Sequence, residues 1–330
     1  MFNIALFGCG RIGKVHAVNI AAHPKTQIKA VIDPYTEGAQ QLASQYGAEV
    51  MSVEQAMSDP DIHAVCICSA TDTHADLIEQ AAKAGKAIFC EKPIDLSLAR
   101  VKACLSVVEE SGVKMLVGFN RRYDPQFRTL KELFESGAIG KAETLVITSR
   151  DPSPPPADYV KVSGGIFRDM SIHDLDMARY IMGEDPVSVS AHGACLVDPA
   201  IGEAGDIDNA VIVLNFPSGA MATIINSRRS GYGYDQRIEL HGSKGMLKAG
   251  NVREHLVEHW GEENCAAAKP QHFFLERYKE AYISEWQHFV DVLEGKTEPM
   301  CSGIDGEMAL VLAEAALDSL NSHKAVGVSE

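Results

Sequence analysis

In the segment SGGIFRDMSIHDLDMARY an aspartate, a histidine and a second aspartate follow one another at helical spacing. If Met170 to Met182 is helical, Asp169, His173, Asp176 and Tyr180 share one stripe. Ile172, Leu175, Arg179 and Met182 share another, which would pack inward. A carboxylate beside an imidazole fixes its tautomer and supports its protonated form, so the pair suits removal of a hydroxyl proton. A third polar group, Lys92, stands in Cys90-Glu91-Lys92-Pro93 at the end of the apolar run AIFC. There a lysine can hydrogen-bond a substrate hydroxyl or a nicotinamide, whose cationic ring would lower its pKa. Taking a proton from a hydroxyl is half of the oxidation of a secondary alcohol. The other half is a hydride, which a nicotinamide accepts. Three plainer readings compete: a metal site, a solvated helix face of mixed charge, and a surface lysine. No H-x-x-x-H pair or cysteine joins the set to favour a metal.

A place for the hydride acceptor lies at the start of the chain. Gly8-Cys9-Gly10-Arg11-Ile12-Gly13 has the form G-x-G-x-x-G, between an apolar run and a helical stretch. Gly8 allows the tight turn, Gly10 the approach of a pyrophosphate, and Gly13 close packing of helix on strand. The helix N-terminus offers N–H groups and positive dipole to phosphate. Asp33, twenty residues past Gly13, ends the second apolar run, where a carboxylate binds ribose hydroxyls. It repels a 2′-phosphate and has no adjacent arginine, so NAD is expected over NADP. The expected cofactor set is Gly8, Gly10, Arg11, Ile12, Gly13, Asp33, Ser69, Thr71, His74, Glu91 and Lys92.

These residues need a scaffold of strand ends. FNIALFG, IKAVID, AVCICSA, AIFCEKP and VKMLVGFN read as near-continuously apolar strands alternating with helices that stop at glycines such as Gly85 and Gly112. That rhythm specifies an α/β domain, a doubly wound parallel sheet over residues 1–119. From 120 to 330 the rhythm changes. A helix, a strand and the Pro-rich loop DPSPPPADY precede the helix already described. PVSVSAHGACLV, DNAVIVLNF, AMATIINSRR, QRIELHG and GMLKAG follow as strands, two of them joined by a Pro217-Ser218-Gly219 turn. Val211 and Val213 on one side, and Ile212, Leu214 and Phe216 on the other, make both faces apolar. One face would cover helices and the other a partner subunit.

With 46% apolar and 23% charged residues the chain has the balance of a globular protein, which excludes disorder for its bulk. A net charge of −15 argues against nucleic-acid and anionic-membrane partners. No apolar run reaches the roughly 18 residues of a membrane span, and MFNIALFGCG has no basic leader region. The eight cysteines are sparse, and Cys66 and Cys68 read as small hydrophobes on one face of a buried strand. A reducing cytoplasm is the expected location. Cys90 is either a reactive thiol beside Lys92 or a buried one.

G-x-G-x-x-G, E-K-P at 91–93, G-F-N-R-R-Y-D at 118–124 and D-M-S-I-H-D at 169–174 resemble the glucose–fructose oxidoreductase/inositol dehydrogenase (Gfo/Idh/MocA) family. The resemblance runs to the C-terminal DGEMALVLAEAALDSL helix. SRDPSPPPADYVKVSGGIFRDMSIHDLDMARY and HFFLERYKEAY resemble its bacterial inositol 2-dehydrogenases. It implies a Rossmann domain, then an α/β domain with a large, predominantly antiparallel open sheet for substrate binding and oligomerisation, often as a tetramer. It also implies oxidation of myo-inositol to scyllo-inosose with NAD. Lys92, Asp169 and His173 take the catalytic positions: His173 removes the proton, Asp169 orients it and Lys92 places the hydroxyl. Arg121, Asp151, Met170, His173 and Tyr234, and also Tyr282, fall on the substrate side. Family members vary at the positions of Ser149, Asp151 and Met170, so scyllo-inositol or an aldose such as glucose stays open as substrate. A non-catalytic sensor of the same fold is the reading from another class, and it predicts loss of the Lys, Asp and His that are all present here.

Overall fold

Strands that are apolar on both faces must be covered on both. In the computed structural model, which describes residues 1–328, six such strands form one parallel sheet. They are β1 (Phe2–Phe7), β2 (Thr26–Ile32), β3 (Glu49–Val50), β4 (Ala64–Ile67), β5 (Ala87–Glu91) and β6 (Met115–Gly118). Their order is β3-β2-β1-β4-β5-β6. Ile4, Ala5, Leu6 and the whole of β4 are fully buried, as a doubly covered sheet requires. The helices α1 (Arg11–Ala22), α2 (Thr36–Tyr46), α3 (Val53–Ser58), α4 (His74–Lys83) and α5 (Leu98–Ser111) connect the strands. Gly112, left-handed at φ 67°, closes α5 as its sequence position suggests. The order reverses between β1 and β4, so the carboxyl ends of these strands open a crevice there.

The chain divides into two units. The first contains residues 1–123 and, in addition, 281–310, a return that a contiguous second domain over 120–330 does not contain. Burial drives the return. Trp286 and Phe289, on the helix Lys279–Leu293, pack their rings against Phe89 of β5, and the Trp286 Nε1 donates to Thr26 Oγ1 at 3.2 Å.

The second unit, residues 124–280 and 311 onward, is built on a seven-stranded sheet. Its elements include α6 (Pro125–Glu135), β7 (Ala142–Arg150), α7 (Ala157–Ser163), α8 (Ile172–Met182), β8 (Ser188–Ala194), β9 (Asn209–Asn215), β10 (Met221–Ser227), β11 (Asp235–Gly242) and β12 (Gly245–Ala249). The order is β12-β11-β7-β10-β9-β8, with the short strand Val326–Gly327 on the outer edge. Only β7 and β10 pair in parallel, so the sheet is mostly antiparallel. Pro217-Ser218-Gly219 makes the β9–β10 turn, closed by Phe216 N–H donating to the Ala220 carbonyl at 3.0 Å. Ile212, Leu214 and Ile224 are fully buried on one face. Ser171 and Asp174 fasten α8 to that face through Asn226 of β10.

Candidate active site

The cofactor cradle belongs to the first unit. A Cβ at Gly8, whose φ is 98°, would lie 2.5 Å from the Cys68 carbonyl oxygen, so only glycine makes this turn. A Cβ at Gly13 would lie 2.0 Å from the Gly8 carbonyl oxygen, which is how closely α1 approaches β1. At Gly10 nothing lies within 4 Å of the Cβ position, leaving open space against bare backbone. No side chain caps α1, so its first N–H groups are directed at whatever enters that space. Arg11, exposed, and Ile12, half-buried, start the helix. Asp33, just past β2, accepts from Cys9 N–H at 2.6 Å and Tyr35 N–H at 2.7 Å, which locks its carboxylate beside the glycine turn. Open cradle, helix N-terminus and fixed carboxylate together fit a dinucleotide whose adenosine ribose carries free hydroxyls.

Lys92 directly follows β5, and its peptide bond to Pro93 is cis. Two residues of the expected cofactor set are buried and bonded to protein groups. His74, 2% exposed, sets Nδ1 2.8 Å from the Pro93 carbonyl and Nε2 3.1 Å from that of Ser69. A neutral imidazole can donate to only one of them. It ties the Lys92–Pro93 turn to the loop after β4 rather than reaching into the cradle. Glu91 is also buried, its Oε1 2.7 Å from His16 Nε2. The β5 pleat explains this: Glu91 ends a strand covered on both faces, and its side chain must find an internal partner. Ser69 pairs its hydroxyl with Thr73 at 2.7 Å, and Thr71 opens the short 3₁₀ turn Thr71–Thr73. Burial pushes the Cys90 thiol well up, which makes it the inert, packed cysteine rather than the reactive one. Cys66 and Cys68 are buried as expected, with sulfurs 3.6 Å apart.

Asp169 and His173 belong to the second unit, but the helix carrying them is not regular. Phe167–Ser171 is a π turn leading into α8, so Asp169 sits in the widened turn and His173 in the first turn of α8. Asp176 is fully buried, because α8 is enclosed on nearly every side, including at Ile172, Asp174, Leu175 and Met177.

Both Asp169 oxygens are engaged. Oδ1 accepts from the Tyr159 hydroxyl at 2.9 Å, and Oδ2 accepts from Arg228 Nη2 at 2.9 Å. Arg228 Nη1 is 3.5 Å from Asp151 Oδ2, so one guanidinium spans two acids. Burial works against the charge on Arg228, but Asp169 and Asp151 outweigh it and hold the guanidinium protonated. Desolvation around its hydroxyl and the Asp169 carboxylate push the Tyr159 phenol up, although the residue is 47% exposed, so it remains a donor. Asp206 accepts from Ile166 N–H at 3.1 Å, and burial raises its pKa.

Sheet register explains the convergence. Arg150 pairs with both Ser227 and Asp235, so Asp151, Arg228 and Tyr234 leave β7, β10 and β11 at one end of the sheet. Asp151 N–H donates to the Ser227 carbonyl at 2.9 Å, continuing the ladder one step beyond the strands. Tyr234 is buried, edge-on to Tyr278 at 5.9 Å, and Met170 is buried within the π turn. Arg121, on the 3₁₀ turn Asn120–Tyr123, lies in the first unit instead. So does Tyr282, packed edge-on against the His16 ring at 5.7 Å. Tyr159, Arg228 and Asp206 escaped the sequence reading. The clue for Arg228 was that it follows its strand by one residue, as Asp151 does, but only the register makes them neighbours.

Two family models match. Residues 2–119 match the oxidoreductase family, NAD-binding Rossmann fold, and residues 127–248 match the Gfo/Idh/MocA C-terminal domain. The chain belongs to the Gfo/Idh/MocA family. It is 50% identical to the inositol 2-dehydrogenase of Rhizobium meliloti, over 98% of each chain. It is 46% identical to the myo-inositol 2-dehydrogenase of Thermotoga maritima, over 99% of this chain and 98% of the other. The crystal structure of a myo-inositol dehydrogenase from Corynebacterium glutamicum superposes with a TM-score of 0.96, at 43% identity and covering 100% and 99% of the two chains. Family membership accounts for the two-unit plan, with an NAD-binding Rossmann unit and a mostly antiparallel sheet in the second.

Proposed function

We propose that this chain oxidises a secondary hydroxyl of an inositol, foremost that of myo-inositol to give scyllo-inosose. The observation that carries the reading is the Asp169 carboxylate, held by Arg228 and Tyr159 one helical turn before His173, in a family whose similar members are inositol dehydrogenases. Bound NAD supplies the hydride acceptor. His173 takes the hydroxyl proton as the C–H hydride departs, so the alcohol loses two electrons and two hydrogens and becomes a ketone. Asp169 stabilises the resulting imidazolium. Lys92 donates to the reacting oxygen and holds it in place. Arg121, Asp151, Met170 and Tyr234 give the ring its orientation, and a misplaced hydroxyl leaves one of their polar groups unsatisfied. Asp33 favours NAD over NADP. Among the described residues no helix is long and apolar enough to cross a membrane. The acidic charge and the free cysteines support a cytoplasmic enzyme. The partly apolar outer face of the second unit's sheet supports a homo-oligomer, a tetramer by family resemblance.

The test follows NADH absorbance with NAD and myo-inositol, scyllo-inositol or glucose. Turnover of myo-inositol is expected, falling by about 100-fold or more in Lys92→Ala and in His173→Ala. Preference for another polyol would reassign the substrate and keep the mechanism. NAD binding without turnover of any of them would favour the sensor.

A further inference from the structure

The acid, the histidine and the lysine account for the chemistry, yet both oxygens of Asp169 are held by side chains from other elements. We propose that Arg228 and Tyr159 are positioning residues that fix Asp169 as an ionised carboxylate in one orientation. By reaching Asp151 as well, Arg228 ties the acid on the substrate side to the acid beside the base. This deepens the function proposed above and rests on it.

A lone carboxylate near a histidine has two unhelpful freedoms: it can rotate, and it can take the proton itself. Here each oxygen has its own donor, one a neutral phenol and one a guanidinium, at 2.9 Å. Charge-assisted bonds of this kind are the strong ones, and they favour the ionised acid. Arg228 is only 3% exposed, so little solvent screens it. Its planar fork presents separate N–H groups to Asp169 and Asp151, which a lysine ammonium cannot reproduce. The brackets come from separate elements. Tyr159 stands on α7, Arg228 beyond β10, Asp151 beyond β7, and Asp206 in the segment before β9. Tyr234 stands before β11, and Asp174 is held on Asn226 of β10 at 2.8 Å. Arg168, on the π turn itself, is directed to Glu314 at 3.6 Å. Arg228 places a cation on the Asp169 carboxylate. Its charge offsets part of the field that the acid exerts on the base one helical turn away.

Kinetics of the full-length enzyme with NAD and myo-inositol test this through Tyr159→Phe, Arg228→Lys and Arg228→Gln, with His173→Ala as the reference. Tyr159→Phe should lower kcat/KM several-fold and move its acidic limb to higher pH by about half a unit. Arg228→Lys keeps a charge but cannot span both acids. It should raise the KM for the polyol about tenfold and leave the KM for NAD unchanged. Arg228→Gln should move the acidic limb up by about one unit. If this variant fails to fold, the other two still decide. Wild-type kcat, KM and pH profile in both Tyr159→Phe and Arg228→Lys would overturn the proposal, and so would lowered thermal midpoints with unchanged kinetics. An active His173→Ala would instead overturn the reading beneath it.

Discussion

Asp33 shows how much one side chain can decide. Its carboxylate is fixed by two backbone N–H groups, at 2.6 and 2.7 Å, before any ligand arrives, so no rotamer freedom is lost on binding. Asp33→Ala should weaken NAD binding about tenfold or more, the worth of hydrogen bonds to a charged group. It should also narrow the preference over NADP by removing the repulsion of a 2′-phosphate. The ratio of kcat/KM for the two cofactors measures this, and an unchanged ratio would show that discrimination lies elsewhere. At the same scale, Glu91 and His74 show how sequence position can mislead. Both stand where ligand contacts are expected, and both are turned inward to brace the strand end that bears Lys92. Their types were legible from the sequence, but their directions were not.

Loops become rigid when one acid gathers their backbone donors. Asp208, fully buried, accepts from Leu196 N–H at 2.7 Å, Val197 N–H at 2.7 Å, Asp198 N–H at 2.9 Å and the Asn209 amide at 2.8 Å. Its own carbonyl accepts from Arg228 N–H at 2.8 Å, so the same residue anchors the segment that carries the guanidinium. Burial alone would raise its pKa, but the backbone donors prevail and hold it at about 2, below the ordinary carboxylate value of 3.8. A depressed acid stabilises the fold above its unfolded pKa and loses that contribution as pH falls through the folded one. Asp208 therefore contributes roughly 2 kcal/mol at neutral pH, lost between about pH 4 and pH 2. Asp208→Asn should lower stability in urea by about that amount at pH 7 and show a smaller loss on acidification. Equal acid slopes in both proteins would contradict the assignment.

At the scale of the whole molecule, the outer face of the second unit's sheet is the feature without an internal partner. Register places Met221, Thr223 and Ile225 of β10 in line with Val213 and Val211 of β9 and with Met246 of β12. Val211, Met221 and Met246 are 42%, 47% and 49% exposed. The homo-oligomer proposed above would cover these residues, which stand among polar ones such as Glu239 and Lys248 on the same face. Light scattering should give a mass several times that of one chain, and Val213→Glu should lower it by placing a charge in the proposed interface. A monomer in the unsubstituted protein would refute the assembly.

The glycine turn, Asp33 and the Lys92 strand end were readable because each rests on local physics: a backbone without Cβ, a helix dipole, and a strand apolar on both faces. Helix-forming residues around His173 were equally plain, and so was the alternation that makes 1–119 a parallel sheet. What sequence could not reach was long-range register. Pairing β7 with β10 in parallel joins residues far apart in the chain, and that pairing brings Arg228 to Asp151 and Asp169. The π turn that sets Asp169 apart from a regular helix, the burial of Asp176 and the return of residues 281–310 to the first unit have the same origin. Local sequence determined which residues could do the chemistry. Tertiary packing decided which of them meet, because burial selects among backbone pairings that short-range propensities leave nearly equal in energy.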